Sequence, residues 1–195
     1  MTTTAMEAFE QFVALAMESE GLVVSGALKF NVRRKTRKQA YDEYQTHGFE
    51  VDLVGARRDK LVLATVKSFF GSRGVVADHV IGNDPTYSKW YALLNQPDVR
   101  ESVVEGAAER FGYDLGQIEM RLYAGRFSTA ASEAAIRTWA AGQVIGGGPV
   151  SVFDASTVVK TVRTAAKSKQ YRDSAVLATL KVLDATGSLS PAPKS

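Results

Sequence analysis

The segment GFEVDLVGARRDKLVLATVKSFF, residues 48–70, reads as two apolar strands joined by a charged turn. Strands at roughly 49–56 and 61–68 flank Arg57-Arg58-Asp59-Lys60, the composition of an exposed hairpin connection. Asp52 falls inside the first strand and Lys67 near the end of the second. Ionisable groups are costly to place in buried strands, so an acid and a lysine there point to a use. Alternate residues of a strand share a face, which groups Glu50 with Asp52 and Thr65 with Lys67. Pairing through the 57–60 turn then brings positions 52 and 65 together. The expected result is a carboxylate pair, a hydroxyl and an ammonium in one small region.

Outward from this hairpin, the N-terminal side supplies one helix and one strand. Thr4–Glu20 has Phe9, Phe12, Val13 and Ala16 at helical spacing, with Thr4 placed to cap it and Gly21 to close it. Leu22–Thr36 reads as a strand or twisted hairpin, and residues 37–48 as a polar turn. After Lys67, residues 68–83 read as a glycine-containing loop. Asp84-Pro85 and Gln96-Pro97 open helices over 86–95 and 98–111. A strand at 118–127, a helix at 129–141, a break at Gly146-Gly147-Gly148-Pro149, a strand at 150–153 and helices at 155–168 and 173–185 follow. The order predicts an α/β fold with a mixed sheet, hairpin-linked strands on one side and crossover-linked strands on the other. It predicts one domain over 1–187 and a fraying tail over 188–195.

The bulk properties exclude several classes. The chain has 195 residues, 45% hydrophobic and 23% charged, the composition of an ordinary globular domain. With no cysteine there is no disulfide, thiolate zinc site or cysteine nucleophile. The first 21 residues carry four glutamates and no cationic stretch, unlike a signal peptide, and no apolar run approaches the roughly 20 residues that span a bilayer. A cytoplasmic protein without membrane contact is expected. The net charge is only +3, yet Lys29, Arg33, Arg34, Lys35, Arg37 and Lys38 fall together with no acid among them. A second basic stretch holds Lys160, Arg163, Lys167, Lys169 and Arg172. Such clusters serve either as solvated faces or as phosphate contacts.

Asp52 and Lys67 in this arrangement suit a divalent metal beside a phosphodiester. Carboxylates bind Mg²⁺ or Mn²⁺, and an ammonium stabilises charge developing on a phosphate. The residues Gly48, Glu50, Val51, Asp52, Leu53 and Val54, followed by Leu61, Val62, Leu63, Val66, Lys67 and Ser68, carry a resemblance. The segment resembles the PD-(D/E)XK, or restriction-endonuclease-like, nucleases, in particular the Holliday-junction-resolvase-like branch. The resemblance implies an αβββαβ core, a mixed sheet flanked by helices, and metal-dependent hydrolysis of DNA. It casts Asp52 as metal ligand and Lys67 as catalytic lysine. It gives Glu18, or next Glu20, on the first helix as a further acid, with Glu50 a second candidate for the same space. Lys29, Arg33, Arg34 and Lys35 become nucleic-acid contacts.

The departure is Thr65, which stands where these nucleases carry an acid two residues before the lysine, leaving a degenerate Thr65-Val66-Lys67. Either Glu50 or Glu18 replaces the missing charge, or the fold works without cleavage as a DNA-binding or protein-interaction module. A homodimer is a further open assembly. Other chemistries lack their residues. His47 and His79 are the only histidines and have no metal-ligand spacing, and there is no Walker A sequence and no G-x-S-x-G elbow. Tyr87, Trp90 and Tyr91 suit either base stacking or a packed core.

Overall fold

Leu61, Val62, Leu63 and Ala64 expose none of their surface. A run of four such residues marks a strand covered on both faces and paired on both edges, where each large aliphatic side chain contributes about 1.5–3 kcal/mol. The computed structural model that places them describes residues 8–35, 44–167 and 174–188. Thr4, Arg37, Lys38, Lys169, Arg172 and residues 189–195 lie outside the described residues.

The chain runs from α1 (Ala8–Ser19) into β1 (Val23–Lys35), β2 (Tyr44–Arg57) and β3 (Lys60–Lys67). A helical layer follows: α2 (Ala77–Ile81), a 3-10 turn at Ser88–Tyr91, α3 (Ala92–Asn95) and α4 (Pro97–Phe111). Then come β4 (Ile118–Ala124), α5 (Ala130–Ala141), a small hairpin of β5 (Val144–Ile145) and β6 (Gly148–Pro149), β7 (Ser151–Asp154), α6 (Ala155–Ala166) and α7 (Ala175–Ala185). The main sheet has the order β1-β2-β3-β4-β7. Its first three strands are antiparallel and its last three parallel. This is the expected α/β fold with a mixed sheet flanked by helices. Among the described residues no helix is long and apolar enough to cross a membrane.

Two cores sandwich the sheet. Phe30, Val32, Val51, Val54, Leu61 and Leu63 pack with Val99 and Val103 of α4 and Ile136 of α5. Leu53, Val62, Ala64 and Val66 face Phe9, Val13 and Met17 of α1 and Val158 and Val162 of α6. Arg121, on β4 within the second layer, is 4% exposed. It holds both oxygens of Glu20 at 2.8 and 2.9 Å and Glu119 at 2.9 Å. Burial works against the Arg121 cation, but the hydrogen bonds it donates to Glu20, Tyr123 and Glu119 outweigh that and hold its pKa above the usual range.

Several boundaries differ from the sequence reading. Of the two alternatives for 22–36, strand or twisted hairpin, the described residues form the strand, 13 residues over Val23–Lys35 with Ala27 at φ +53°. Residues 44–48 are strand instead of turn because they pair with Asn31–Lys35. The loop 68–83 contains α2. The helix expected at 86–95 is a 3-10 turn leading into α3, since Asp84 Oδ1 accepts the Thr86 and Tyr87 N–H groups and holds a turn there. The strand expected to Phe127 stops at Ala124, where the Gly125 N–H donates to the Lys67 carbonyl at 2.8 Å.

That last contact ties the loops after β3 and β4 together. Val75 donates to the Arg126 carbonyl at 2.8 Å, and Ser128 to that of Val75 at 2.9 Å. A Cβ on Gly125 would lie 2.0 Å from the Ser68 carbonyl oxygen and 2.9 Å from the Phe70 ring. Gly125→Ala is therefore expected to displace the Ser68–Phe70 loop and lower stability by about 1–3 kcal/mol, read as a urea midpoint shift. An unchanged midpoint would mean that this approach is not a constraint.

Asp154 caps α6, accepting the Thr157 N–H at 2.7 Å. Burial raises its pKa, but the Thr157 and Ser156 hydrogen bonds outweigh that and leave it below the usual carboxylate range. A depressed folded pKa gives stability that is complete above the unfolded value, about 3.9, and is lost as pH falls through the folded one. Asp154→Ser, which keeps a capping oxygen, should flatten the loss of stability below about pH 4. Identical acid unfolding curves for the two proteins would remove Asp154 from that loss.

Candidate functional site

β2 and β3 pair from the Arg57–Lys60 turn through Leu53–Ala64 and then part. Val66, two residues further on, is 6% exposed. Its N–H needs an acceptor there, because an unmet buried donor costs about 1–3 kcal/mol. Asp52 supplies it: Oδ2 accepts the Val66 N–H at 2.7 Å. The same oxygen lies 3.5 Å from Lys67 Nζ, with the carboxylate side chain 25% and the lysine side chain 19% exposed. The carboxylate thus completes the parted ladder and pairs with the lysine at the end of β3.

The pair opens into a cleft of about 370 Å³. Its walls include Glu10 from α1, Ser68 and Phe69 after β3, and Trp90 from the 3-10 turn. Phe69 holds φ +43°, a left-handed backbone that costs a non-glycine residue about 1–2 kcal/mol. Its ring lies 6.4 Å from that of Trp90, which meets Tyr87 edge-on at 5.0 Å. Trp90 is 49% and Tyr87 40% exposed, whereas Tyr91 is buried at 1%. Burial pushes the Tyr91 hydroxyl pKa up, and Lys67 Nζ stands 6.0 Å from its ring centre. The aromatic trio of the sequence therefore divides into two exposed rings and one packed ring.

The structure brings together Asp52, Lys67 and position 65, as the 57–60 turn predicts. Thr65 is 5% exposed and contributes no charge. Glu50 does not join them. Phe49 and Val51 pack with the α4-side core while Leu53 packs with the α1-side core, so the two-residue alternation breaks at Asp52. β1 shows the same break at the register position opposite, Ala27, with its left-handed φ. Glu50 consequently turns to the outer face, where it meets Lys29 at 3.7 Å in solvent.

The first-helix acids also fall elsewhere. Glu20 grips Arg121, and the cleft is lined from α1 by Glu10 rather than Glu18. Glu18 follows Glu10 by eight helical positions, about 12 Å along the axis. The basic segment is likewise apart from the cleft. Arg34 donates to Gln96 and meets Asp98 at 3.7 Å. Arg33 lies 4.5 Å over the Tyr44 ring, and Lys35 pairs through its backbone with Tyr44. Lys29 and Arg33 line a separate groove against α4 together with Glu105, Glu109 and Arg110. On α6, Val158 and Val162 are buried while Lys160 and Lys167 are exposed, a solvated helix face.

No cluster of three or more acids, histidines or cysteines with metal-holding geometry occurs among the described residues. The cleft still offers two carboxylates, Asp52 and Glu10, and Mg²⁺ is commonly held by one or two carboxylates together with waters and substrate phosphate. Compared with family models and with curated proteins, the chain matches none.

The double use of Asp52 separates two substitutions. Asp52→Ala leaves the Val66 N–H without an acceptor and should lower stability by about 1–3 kcal/mol. Asp52→Asn keeps an oxygen there and should cost less than half as much in the same urea titration. Equal losses would show that the ion pair, and not the hydrogen bond, is what Asp52 contributes to the fold.

Proposed function

We propose that this chain is a metal-dependent DNA endonuclease of the PD-(D/E)XK type. The observation that carries the reading is the Asp52–Lys67 pair at 3.5 Å, set in a cleft with Glu10 where β2 leaves β3. The order of a helix, three antiparallel strands, a helical layer and a parallel strand supports it as well. Asp52 and Glu10 would hold Mg²⁺ or Mn²⁺, which when bound supplies Lewis acidity and an acidified water. The Val66 N–H fixes the rotamer of Asp52, so its carboxylate is oriented before substrate arrives. Lys67, with most of its side chain out of water, offers its ammonium to a phosphate oxygen and steadies the charge that grows there. Glu10 takes over the charge that Thr65 lacks, in the place assigned from sequence to Glu18 or Glu50. Lys29 and Arg33 are exposed cations available to DNA phosphates, while Arg34 is held by α4. The lack of cysteine is compatible with a cytoplasmic setting.

A second reading has its own observation. Thr65 is buried and uncharged, and Asp52 already has a cationic partner, as in a nuclease fold kept for DNA binding. The two readings part in one experiment: cleavage of single-stranded, duplex, forked and four-way DNA in Mg²⁺ or Mn²⁺. The expected result is cleavage by the wild type that falls about a hundredfold or more in Asp52→Asn, Glu10→Gln and Lys67→Ala, with Glu18→Gln unaffected. Cleavage undiminished in Asp52→Asn would sink the assignment. DNA binding without turnover in any protein would establish the second reading instead.

A further inference from the structure

We infer that the cleft receives an unpaired nucleobase, stacked on Trp90 and Phe69, so that the substrate is a single-stranded or frayed segment and not an intact duplex. This rests on the nucleic-acid reading above and narrows its substrate class. Trp90 and Phe69 line the same cleft as Asp52 and Lys67. Their rings are 6.4 Å apart and tilted by 50°, and Trp90 leaves about half of its surface in solvent at 49%. Tyr87 braces Trp90 from the side, edge to face at 5.0 Å, without covering it. An indole left half in water forgoes the burial that stabilises such a ring, a cost recovered when a flat apolar group is laid against it, and Phe69 is held beside it in a left-handed backbone.

The charges around the shelf choose the occupant. Lys67 lines the cleft together with Asp52 and Glu10, and two further cations are exposed nearby in the chain, Lys89 beside Trp90 and Arg73 on the loop that carries Phe69. A nucleotide fits both features at once, its base against the rings and its phosphate towards the Lys67 ammonium. An aliphatic side chain from a protein partner would cover the indole but lay apolar surface over the Asp52–Lys67 pair and strip it of water. Base–aromatic stacking tolerates any sequence, because every base has a π-face, and it requires that the base be out of its helix. A duplex keeps its bases stacked on one another and presents only backbone to such a cleft.

Trp90 and Trp139 are the two tryptophans of the chain, which makes the shelf its own reporter. In a Trp139→Phe background, fluorescence of Trp90 is followed while an oligo(dT) 15-mer or a blunt duplex of equal length is added, at low salt and in EDTA. Affinity is measured in parallel by anisotropy. The expected result is quenching by the single strand, affinity for it at least about tenfold above the duplex, and a loss of about tenfold in Trp90→Ala and Trp90→Leu. Leu keeps apolar cover without a π-face, so a defect shared by both variants is one of stacking and not of folding. Quenching absent, or single-strand affinity within twofold of wild type in both variants, would overturn the inference. EDTA excludes hydrolysis, so a protein that stacks the strand yet never cleaves retains this site and loses only the nuclease reading. One that cleaves DNA with Trp90→Ala unimpaired keeps the nuclease reading and loses this one.

Discussion

The Val66 N–H is buried at the place where the neighbouring strand departs, and its need for an acceptor shapes everything around it. Had β2 continued beside β3, a backbone carbonyl would have met that donor, and the sheet would have closed over the region. The strands part instead after Leu53–Ala64, and the Asp52 carboxylate fills the vacancy in the ladder at 2.7 Å. A carboxylate introduced for this purpose sits in a half-buried position, where a cation beside it is worth more than at the surface. Lys67 is that cation. The backbone hydrogen bond and the ion pair therefore converge on one side chain. An aspartate there is explained by the fold alone, and the functional case rests on what else opens onto the same space: Glu10, Lys67 and two aromatic rings.

The departure of β2 is coupled to a turnover of faces in the outer hairpin. Before the break, β2 contributes Leu53 to the α1-side core; beyond it, Val51 and Phe49 belong to the α4-side core. Residues of the same parity have exchanged faces, which a flat strand cannot do. Ala27 at φ +53° lies across from Asp52 and takes up the rotation on β1. The result is a two-stranded ribbon, Leu28–Lys35 with Tyr44–Val51, folded down on α4 through Phe30, Val32 and Arg34. Lys29 and Arg33 alternate with these residues along β1 and stay exposed at the groove beside α4. One local rotation thus opens the cleft and also separates the basic segment from it.

How far the sequence carried the site follows from these same features. The hairpin, its register and the meeting of Asp52 with position 65 depend only on turn composition and strand period, and they were legible in residues 48–70. Glu50 was misplaced because period-two reasoning assumes a strand without a rotation, and the rotation belongs to Ala27 of the pairing strand β1, 23 residues before Glu50 in the chain. Glu18 and Glu20 were misplaced although the chain held the answer. α1 runs through Gly21 straight into β1, whose Val23 pairs with Ala56 beside the 57–60 turn, the end of the sheet away from Lys67. The last turn of α1 must then lie at that end, and Arg57 does donate to the Glu20 carbonyl at 3.0 Å. Only the first turns reach the cleft, where Phe9 meets Phe70 at 5.2 Å and Glu10 lines the wall. Arg34 was beyond reach for a different reason: its partners, Gln96 and Asp98, are supplied by tertiary packing.

On the nuclease reading proposed above, the balance of charge in the cleft leaves substrate recognition to its aromatic surface. A site with three carboxylates draws substrate through the cations it binds, and the bases of the nucleic acid need contribute little. With Thr65 neutral, the cleft's lining holds two acids and one ammonium, and less electrostatic attraction is available to hold a polyanion. Stacking on Trp90 and Phe69 is insensitive to that deficit, since it depends on apolar area and ring contact and is not screened by salt as a phosphate contact is. Substrate position would then be fixed by the base and only adjusted by the phosphate. In such an arrangement the exact number of carboxylates limits turnover more than it limits recognition, so a cleft with a weakened acid set can still select its strand.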